Sequence, residues 1–339
     1  MVTRMARRFL RRGLSVSFIV VARFVVAPLI HLGIFLARLS TAGRLPAARV
    51  AGLRFIAGYL ALEVWGIWRL TLAWLQRQQP ADAIAVNRAI QYAWAGALHD
   101  LFVDCFHVHF LVTGREALNG PACLVLARHV SLADSLSPLV FYGIPANVPI
   151  RYVLKRELLW SPCLDIAGNR LPNVFVDRSG QDSANAVRAV ASLTAGSTPT
   201  EGVAIFPEGT RFTDAKRQRL QTKAGTQPEL AAQLARWPDL LPPRLGGTLA
   251  MLEANPGHDL LFIAHSGYEG AADIGALMTG HWTGATIRVH CWRIPYPEIP
   301  RDGDALRDFL FGQWDAMQHH VRALRTAESL PVAPQPEPL

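Results

Sequence analysis

Seven short runs rich in aliphatic, β-branched and aromatic residues alternate with helical stretches, and this alternation sets the strongest limit on how the chain folds. The runs are Val108–Val112, Leu124–Ala127, Arg151–Leu154, Asn173–Val176, Val203–Phe206, Leu260–Ala264 and Ile287–Trp292. Helices are predicted at Ala81–Phe106, Ser183–Ala195, Pro228–Arg236, Gly247–Glu253 and Asp304–Leu324. The pattern predicts an α/β fold, a mostly parallel or mixed sheet covered by helices, in one domain over residues 79–328. Residues 329–339 contain four prolines and read as a disordered, Pro-rich tail.

The first 78 residues follow another pattern. Residues 1–62 hold ten arginines and no Asp or Glu, a charge of +10, so the whole-chain charge of +8 leaves −2 for everything after them. A basic segment interleaved with apolar runs suits the anionic inner face of a membrane, and no nucleic-acid partner is expected, because a duplex reader needs a basic stripe on a folded face.

Gly13–Ala37 is long enough to cross a bilayer, although Arg23 is costly at its centre and Pro28 would kink it, so a re-entrant or shallow hairpin stays open. Phe55–Leu75 contains Glu63 and Arg69, while Trp65, Trp68 and Trp74 favour the headgroup level. A cleaved signal peptide shares the basic start and apolar run, but no clear small-residue cleavage site follows and Arg23 interrupts the run. Residues 1–78 are therefore expected to be membrane-anchoring helices at the cytoplasmic membrane, with the α/β domain that follows facing the cytoplasm.

Cys105, Cys123, Cys163 and Cys291 form no C-x-x-C pair, which suggests neither a zinc ribbon nor a disulfide framework. His107/His109 and His319/His320 match no recognised metal-site spacing, and no metal is expected.

Chemistry enters where the run Leu124–Ala127 ends, in Arg128-His129-Val130-Ser131-Leu132-Ala133-Asp134. On one continuous helix, residues five apart lie about 140° from each other around the axis, so contact between His129 and Asp134 requires a turn. A strand-to-helix turn supplies it and lets Asp134 accept from Nδ1, leaving Nε2 free to take a proton. Ser131-x-x-Asp134 equally fits a helix capping box. The second constellation, Phe206-Pro207-Glu208-Gly209-Thr210-Arg211, directly follows a strand-like run. Gly209 permits close backbone approach, and Glu208 and Arg211 supply an acceptor and a forked donor suited to a phosphate or hydroxyl-bearing headgroup. An ordinary polar loop at a strand end is the alternative.

These residues resemble the motifs of the glycerolipid and lysophospholipid acyltransferases, which include the 1-acylglycerol-3-phosphate acyltransferases. His129 and Asp134 meet the family's H-x4-D form, and residues 206–211 match F-P-E-G-T-R at all six places. Asn173–Arg178 is similar to an apolar stretch ending in arginine, Lys155–Leu158 looks like its lead-in, and Leu241–Arg244 followed by Gly246-Gly247 looks like a segment of the eukaryotic-type branch. The fourth motif departs, because Leu261–His265 lacks the usual proline-containing turn.

The resemblance implies acyl transfer from acyl-CoA or acyl carrier protein, as co-substrate, to the free hydroxyl of a lysophospholipid, with lysophosphatidic acid as first choice and no cofactor. His129 would be general base and Asp134 its orienting partner, without a covalent intermediate on Ser131 or Ser135. Arg178, Arg211, Glu208, Gly209, Thr210 and Lys155 would bind substrate. A thioesterase in which His129 activates water, and a non-catalytic membrane lipid-binding protein, are the competing readings.

Overall fold

The computed structural model describes residues 2–40, 46–76, 79–176, 183–269 and 275–328. Ten α-helices and seven strands are described: α1 (Val2–Val21), α2 (Ala27–Ser40), α3 (Ala47–Leu75), α4 (Pro80–Phe106), β1 (His109–Thr113), β2 (Cys123–Ala127), β3 (Ile150–Lys155), α5 (Pro162–Gly168), β4 (Val174–Val176), α6 (Ser183–Ala195), β5 (Gly202–Ile205), α7 (Asp214–Ala224), α8 (Pro228–Arg236), α9 (Leu245–Glu253), β6 (Asp259–Ser266), β7 (Thr286–Ile294) and α10 (Gly303–Glu328).

The strands form one sheet in the order β1-β7-β6-β2-β5-β3-β4. Every neighbouring pair is parallel except β6 and β7. The sheet is therefore mixed and helix-covered, as the alternation predicts, and each expected strand is present. In β2 every residue is buried because both faces are covered, which is why its sequence is a continuous apolar run without alternation. One face packs Val125, Ala127, Leu261, Ile263 and Val289 against α4 through Phe102 and Phe106. The other packs Leu124, Leu126, Leu260 and Phe262 against α10 through Trp314, Met317 and Val321.

Two helices exceed the expectation. The short α5 starts at a good local signal, the Ser161 hydroxyl accepting from the Leu164 N–H with Pro162 in the first turn. Along α7 no residue is buried, so it carries no apolar period.

At the N-terminus, α1, a π-helical turn at Ala22–Val26 and α2 form an unbroken helical run. The π turn lies just ahead of Pro28, whose ring and missing N–H disrupt the preceding turn of hydrogen bonds. Among the described residues two helical stretches, Ala6–Leu39 and Ala47–Leu75, are long and apolar enough to cross a membrane. The first exposes Phe9, Leu14, Phe18, Phe24, Leu29, Phe35 and Leu39.

The second is drawn into the domain that follows it. Phe55, Ile56, Tyr59, Leu62 and Trp65 pack on the core, whereas Trp68 and Trp74 are exposed. Gly66 lets the backbone pass Cys163, whose Sγ would stand 2.4 Å from an added Cβ. Fully buried Glu63 accepts from the Ser161 hydroxyl at 2.8 Å and the Cys163 N–H at 3.2 Å. Two arginines of the basic cluster also turn inward: Arg11 and Arg12 donate to the two carboxylate oxygens of buried Asp165 in α5, at 2.8 and 2.9 Å.

Candidate active site

The strands β2, β5, β3 and β4 are neighbours and parallel, so their carboxyl ends share one edge of the sheet. Open α/β sheets hold ligands at that edge. Each residue singled out from the sequence leaves one of these ends: His129 after β2, Phe206–Arg211 after β5, and Lys155 as the last residue of β3. Arg178 follows β4 and lies outside the described residues.

After β2 the chain turns so that His129 Nδ1 and Asp134 Oδ1 stand 2.6 Å apart. The second carboxylate oxygen, Oδ2, accepts from the Val130 N–H at 2.5 Å and the Ser131 N–H at 2.8 Å, and the Ser131 hydroxyl accepts from the Asp134 N–H at 3.2 Å. The two readings of this segment are both realised in one side chain: the carboxylate caps the turn with one oxygen and holds the imidazole with the other. Burial alone would raise the Asp134 carboxyl, but the His129 charge and hydrogen bond, with help from His265 and the Val130 N–H, bring it below the usual aspartate range. The carboxylate is therefore ionised. It faces Nδ1 as an acceptor for an N–H there and leaves Nε2 without a partner among the described residues. The His129 ring lies on that of Phe206 at 4.5 Å between centroids, which fixes its plane.

Glu208 is buried and gives both oxygens to the backbone, accepting from the His129 N–H at 3.0 Å and the Leu241 N–H at 3.1 Å. It thereby ties the loop after β2, the loop after β5 and the segment before α9. Burial pushes its carboxyl up to about 7, against the lowering influence of Arg128 and of the two N–H donors. Gly209 has φ +69°, and an added Cβ would meet Arg244 Cδ at 2.4 Å, so this turn needs glycine for both conformation and space. The Arg244 N–H closes the same corner by donating to Pro207 O at 2.8 Å. Lys216 Nζ donates to the Thr210 hydroxyl at 2.8 Å and to Arg211 O at 2.9 Å. Thr210, Arg211 and Lys155 are partly exposed at the edge.

Three residues behind the pair were not singled out from the sequence. Arg128 is fully buried beside His129 and donates to His265 O and Glu269 Oε1, both at 2.6 Å, and to Asp239 O at 3.1 Å. His265 is also fully buried; its Nε2 bonds Arg128 O at 3.0 Å and stands 3.6 Å from Asp134 Oδ2. Glu269 is held well below the usual carboxylate range: burial opposes this, but the charges of Arg128, His265 and Arg325 and the Arg128 hydrogen bond prevail. His265 stands in the strand where the resemblance departs, and that departure was the available signal. No cluster of three or more His, Cys, Asp or Glu residues able to hold a metal occurs among the described residues.

Residues 109–238 match the protein family described as Acyltransferase. Among solved structures, the crystal structure of the 1-acyl-sn-glycerophosphate (LPA) acyltransferase PlsC from Thermotoga maritima superposes with a TM-score of 0.54 at 16% identity, covering 82% of this chain and 97% of that one. The signal recognition particle 54 kDa protein from Aeropyrum pernix K1 in complex with GDP gives a TM-score of only 0.23 at 13% identity, covering 84% of this chain and 72% of that one, too low to support any argument. No curated protein matches the sequence significantly.

Proposed function

We propose, on the match of residues 109–238 to the acyltransferase family, that this protein moves a fatty acyl group from an acyl thioester, acyl-CoA or acyl carrier protein, to the free hydroxyl of a lysophospholipid, lysophosphatidic acid first among them. The observation that carries this reading is the 2.6 Å contact between His129 Nδ1 and an ionised Asp134, with Nε2 unpartnered among the described residues at the carboxyl edge of the sheet.

In the reaction, Nε2 takes the proton of the acceptor hydroxyl as its oxygen attacks the thioester carbonyl. The new C–O bond forms, the C–S bond breaks, and the imidazolium returns the proton to the departing thiolate. Asp134 stabilises the imidazolium between these steps. A covalent acyl-serine is disfavoured, because the Ser131 hydroxyl is fully buried and turned toward the Asp134 N–H.

Arg211 is the residue we assign to the acceptor phosphate. It lies in the turn after β5, the strand next to β2, and the N–H of the adjoining Phe212 donates to His129 O at 2.7 Å, which supports a phosphate contact near the base. Lys155 ends β3, one strand further, and suits the same charge at longer reach. Leu132, between the pair in sequence, is 43% exposed and offers apolar surface beside His129 for an acyl chain.

The apolar surface of α1 and α2 and the arginines around it support attachment to the cytoplasmic membrane with the catalytic edge toward the cytoplasm. The bilayer is then a partner as well as the source of the acceptor.

Release of free thiol from acyl-CoA, followed with and without lysophosphatidic acid, tests the reading. A transferase releases thiol only when the acceptor is supplied, and His129→Ala lowers that rate by about 10²–10⁴ or more with membrane binding unchanged. Acceptor-independent release would instead identify a hydrolase, and wild-type turnover in His129→Ala would remove the mechanism.

A further inference from the structure

A second charged site lies at the same edge of the sheet, on the strands away from Arg211. An open cavity of about 490 Å³ is lined by Glu269, His281, Thr286, Arg288 and Arg325, between the carboxyl end of β6, the start of β7 and the last turns of α10. Its charges do not cancel. Glu269 is already satisfied: Oε1 accepts from Arg128 at 2.6 Å and from Arg325 at 3.1 Å, and Oε2 accepts from the Gly267 N–H at 2.7 Å. Arg325 also donates to Asp239, which receives Arg322 at 3.8 Å.

Arg288 stands outside this network. It is only 8% exposed, and among the described residues it has neither a carboxylate partner nor a side-chain hydrogen bond. Its guanidinium lines the open cavity, and a guanidinium presents five donors in a fixed fork to an anion that enters it.

We propose that this cavity is a binding site for a phosphate-ester group, with Arg288 as its principal contact and His281 and the Thr286 hydroxyl at its rim. Arg288 presents the paired donors that match phosphate oxygens. The volume exceeds that of a lone phosphate and accommodates a larger organic group bearing it. The site is distinct from the acceptor contact at Arg211, which does not line the cavity and lies in the turn after β5, a strand separated from β7 by β6 and β2. Arg325 and Glu269 connect its wall to Arg128 and so to the backbone beside His129.

Equilibrium binding to the full-length protein in detergent, read by calorimetry and by the shift in unfolding temperature, tests the proposal independently of activity. Three probes separate the sources of the phosphate: inorganic phosphate, coenzyme A, and phosphatidic acid in mixed micelles of the same detergent. At least one is expected to bind the wild type, with Kd raised about tenfold or more in Arg288→Gln; Arg211→Gln removes the separate contact assigned to the acceptor phosphate and should leave the Arg288-dependent component in place. Arg288→Lys, which keeps the charge and loses the fork, should fall between them and serves as the reading if Arg288→Gln does not fold. The proposal is overturned if no probe binds the wild type, if binding survives both Arg288 substitutions, or if Arg211→Gln alone abolishes it.

Discussion

Replacing Asp134 by Asn separates the two duties that its carboxylate performs, and the structure dictates how the amide must turn. Oδ1 meets one imidazole N–H, and Oδ2 meets two backbone N–H groups, those of Val130 and Ser131. An amide has one acceptor oxygen and two donor hydrogens. Turning its NH₂ toward the backbone would oppose two fixed donors, each left unsatisfied at a cost of about 1–3 kcal/mol. Turning it toward His129 costs less, because the ring can move its proton to Nε2 and accept at Nδ1. The backbone therefore keeps the oxygen, the turn stays capped, and the histidine is locked in the tautomer that cannot act as base. Turnover should fall by about 10³–10⁴, equivalent to about 4–5.5 kcal/mol on the barrier, while unfolding stability changes by no more than about 2 kcal/mol. The assay is thiol release from acyl-CoA in the presence of lysophosphatidic acid, paired with thermal unfolding of the same preparations. If the Asp134→Asn protein melts normally and turns over within about tenfold of wild type, the orienting role is refuted and Asp134 is left as a cap.

Arg211→Ala should raise the apparent KM for a phosphate-bearing lysolipid more than that for the acyl donor, with partial recovery in Arg211→Lys; a rise confined to the donor would reverse the assignment of the two substrates. Glu208 binds its proton more tightly in the folded protein than in the unfolded chain, so its contribution to stability is fully present below pH 4.5 and is lost as pH rises through about 7. The span corresponds to about 3 kcal/mol, and Glu208→Gln should lack this slope when unfolding is compared at pH 5 and pH 8. Deleting residues 1–45 should leave a folded, more soluble protein that melts somewhat lower, because Asp165 loses Arg11 and Arg12, and is slow on lysolipid embedded in bilayers. Deleting residues 1–78 should instead give a destabilised, aggregating chain, because it strips Phe55, Tyr59, Leu62, Trp65 and Glu63 from the core; size-exclusion chromatography and melting distinguish the two outcomes.

The sheet was legible because its strands are buried on both faces and betray themselves as apolar runs without needing any partner to be known. The helix Asp214–Ala224 was not, since it buries nothing and is set by a local cap, the Thr213 hydroxyl accepting from the Lys216 N–H at 3.3 Å. His129 and Asp134 were legible as a pair because their partners lie within the same few residues. Glu208 was legible as a motif member but not in its action: it binds backbone N–H groups 79 and 33 residues away, and every residue type but proline offers that donor, so no sequence pattern marks the contact. Arg128 was hidden for a similar reason. Two of its acceptors are the main-chain carbonyls of His265 and Asp239, which carry no side-chain signature.

The division expected from the sequence, anchoring helices followed by an α/β domain, is blunted by where the polar contacts of α1 and α3 go. Arg11 and Arg12 in α1 and Glu63 in α3 all converge on α5 or its capping turn, through Asp165, Ser161 and Cys163. That turn follows Lys155, the last residue of β3, so the helices with the largest apolar surface are joined to the side of the sheet edge where Lys155 and Arg211 stand. Behind the base, the chain of contacts from Arg128 through Glu269 to Arg325 fastens the loop of His129 to α10. The candidate edge is thus braced from α10 on one side and from α1 and α3 on the other. Under the proposed function, an acceptor drawn from a bilayer would meet its phosphate contacts on the side of α1 and α3 before its hydroxyl reached His129, an order that would give a physical reason for the basic residues and the base to occupy neighbouring strands.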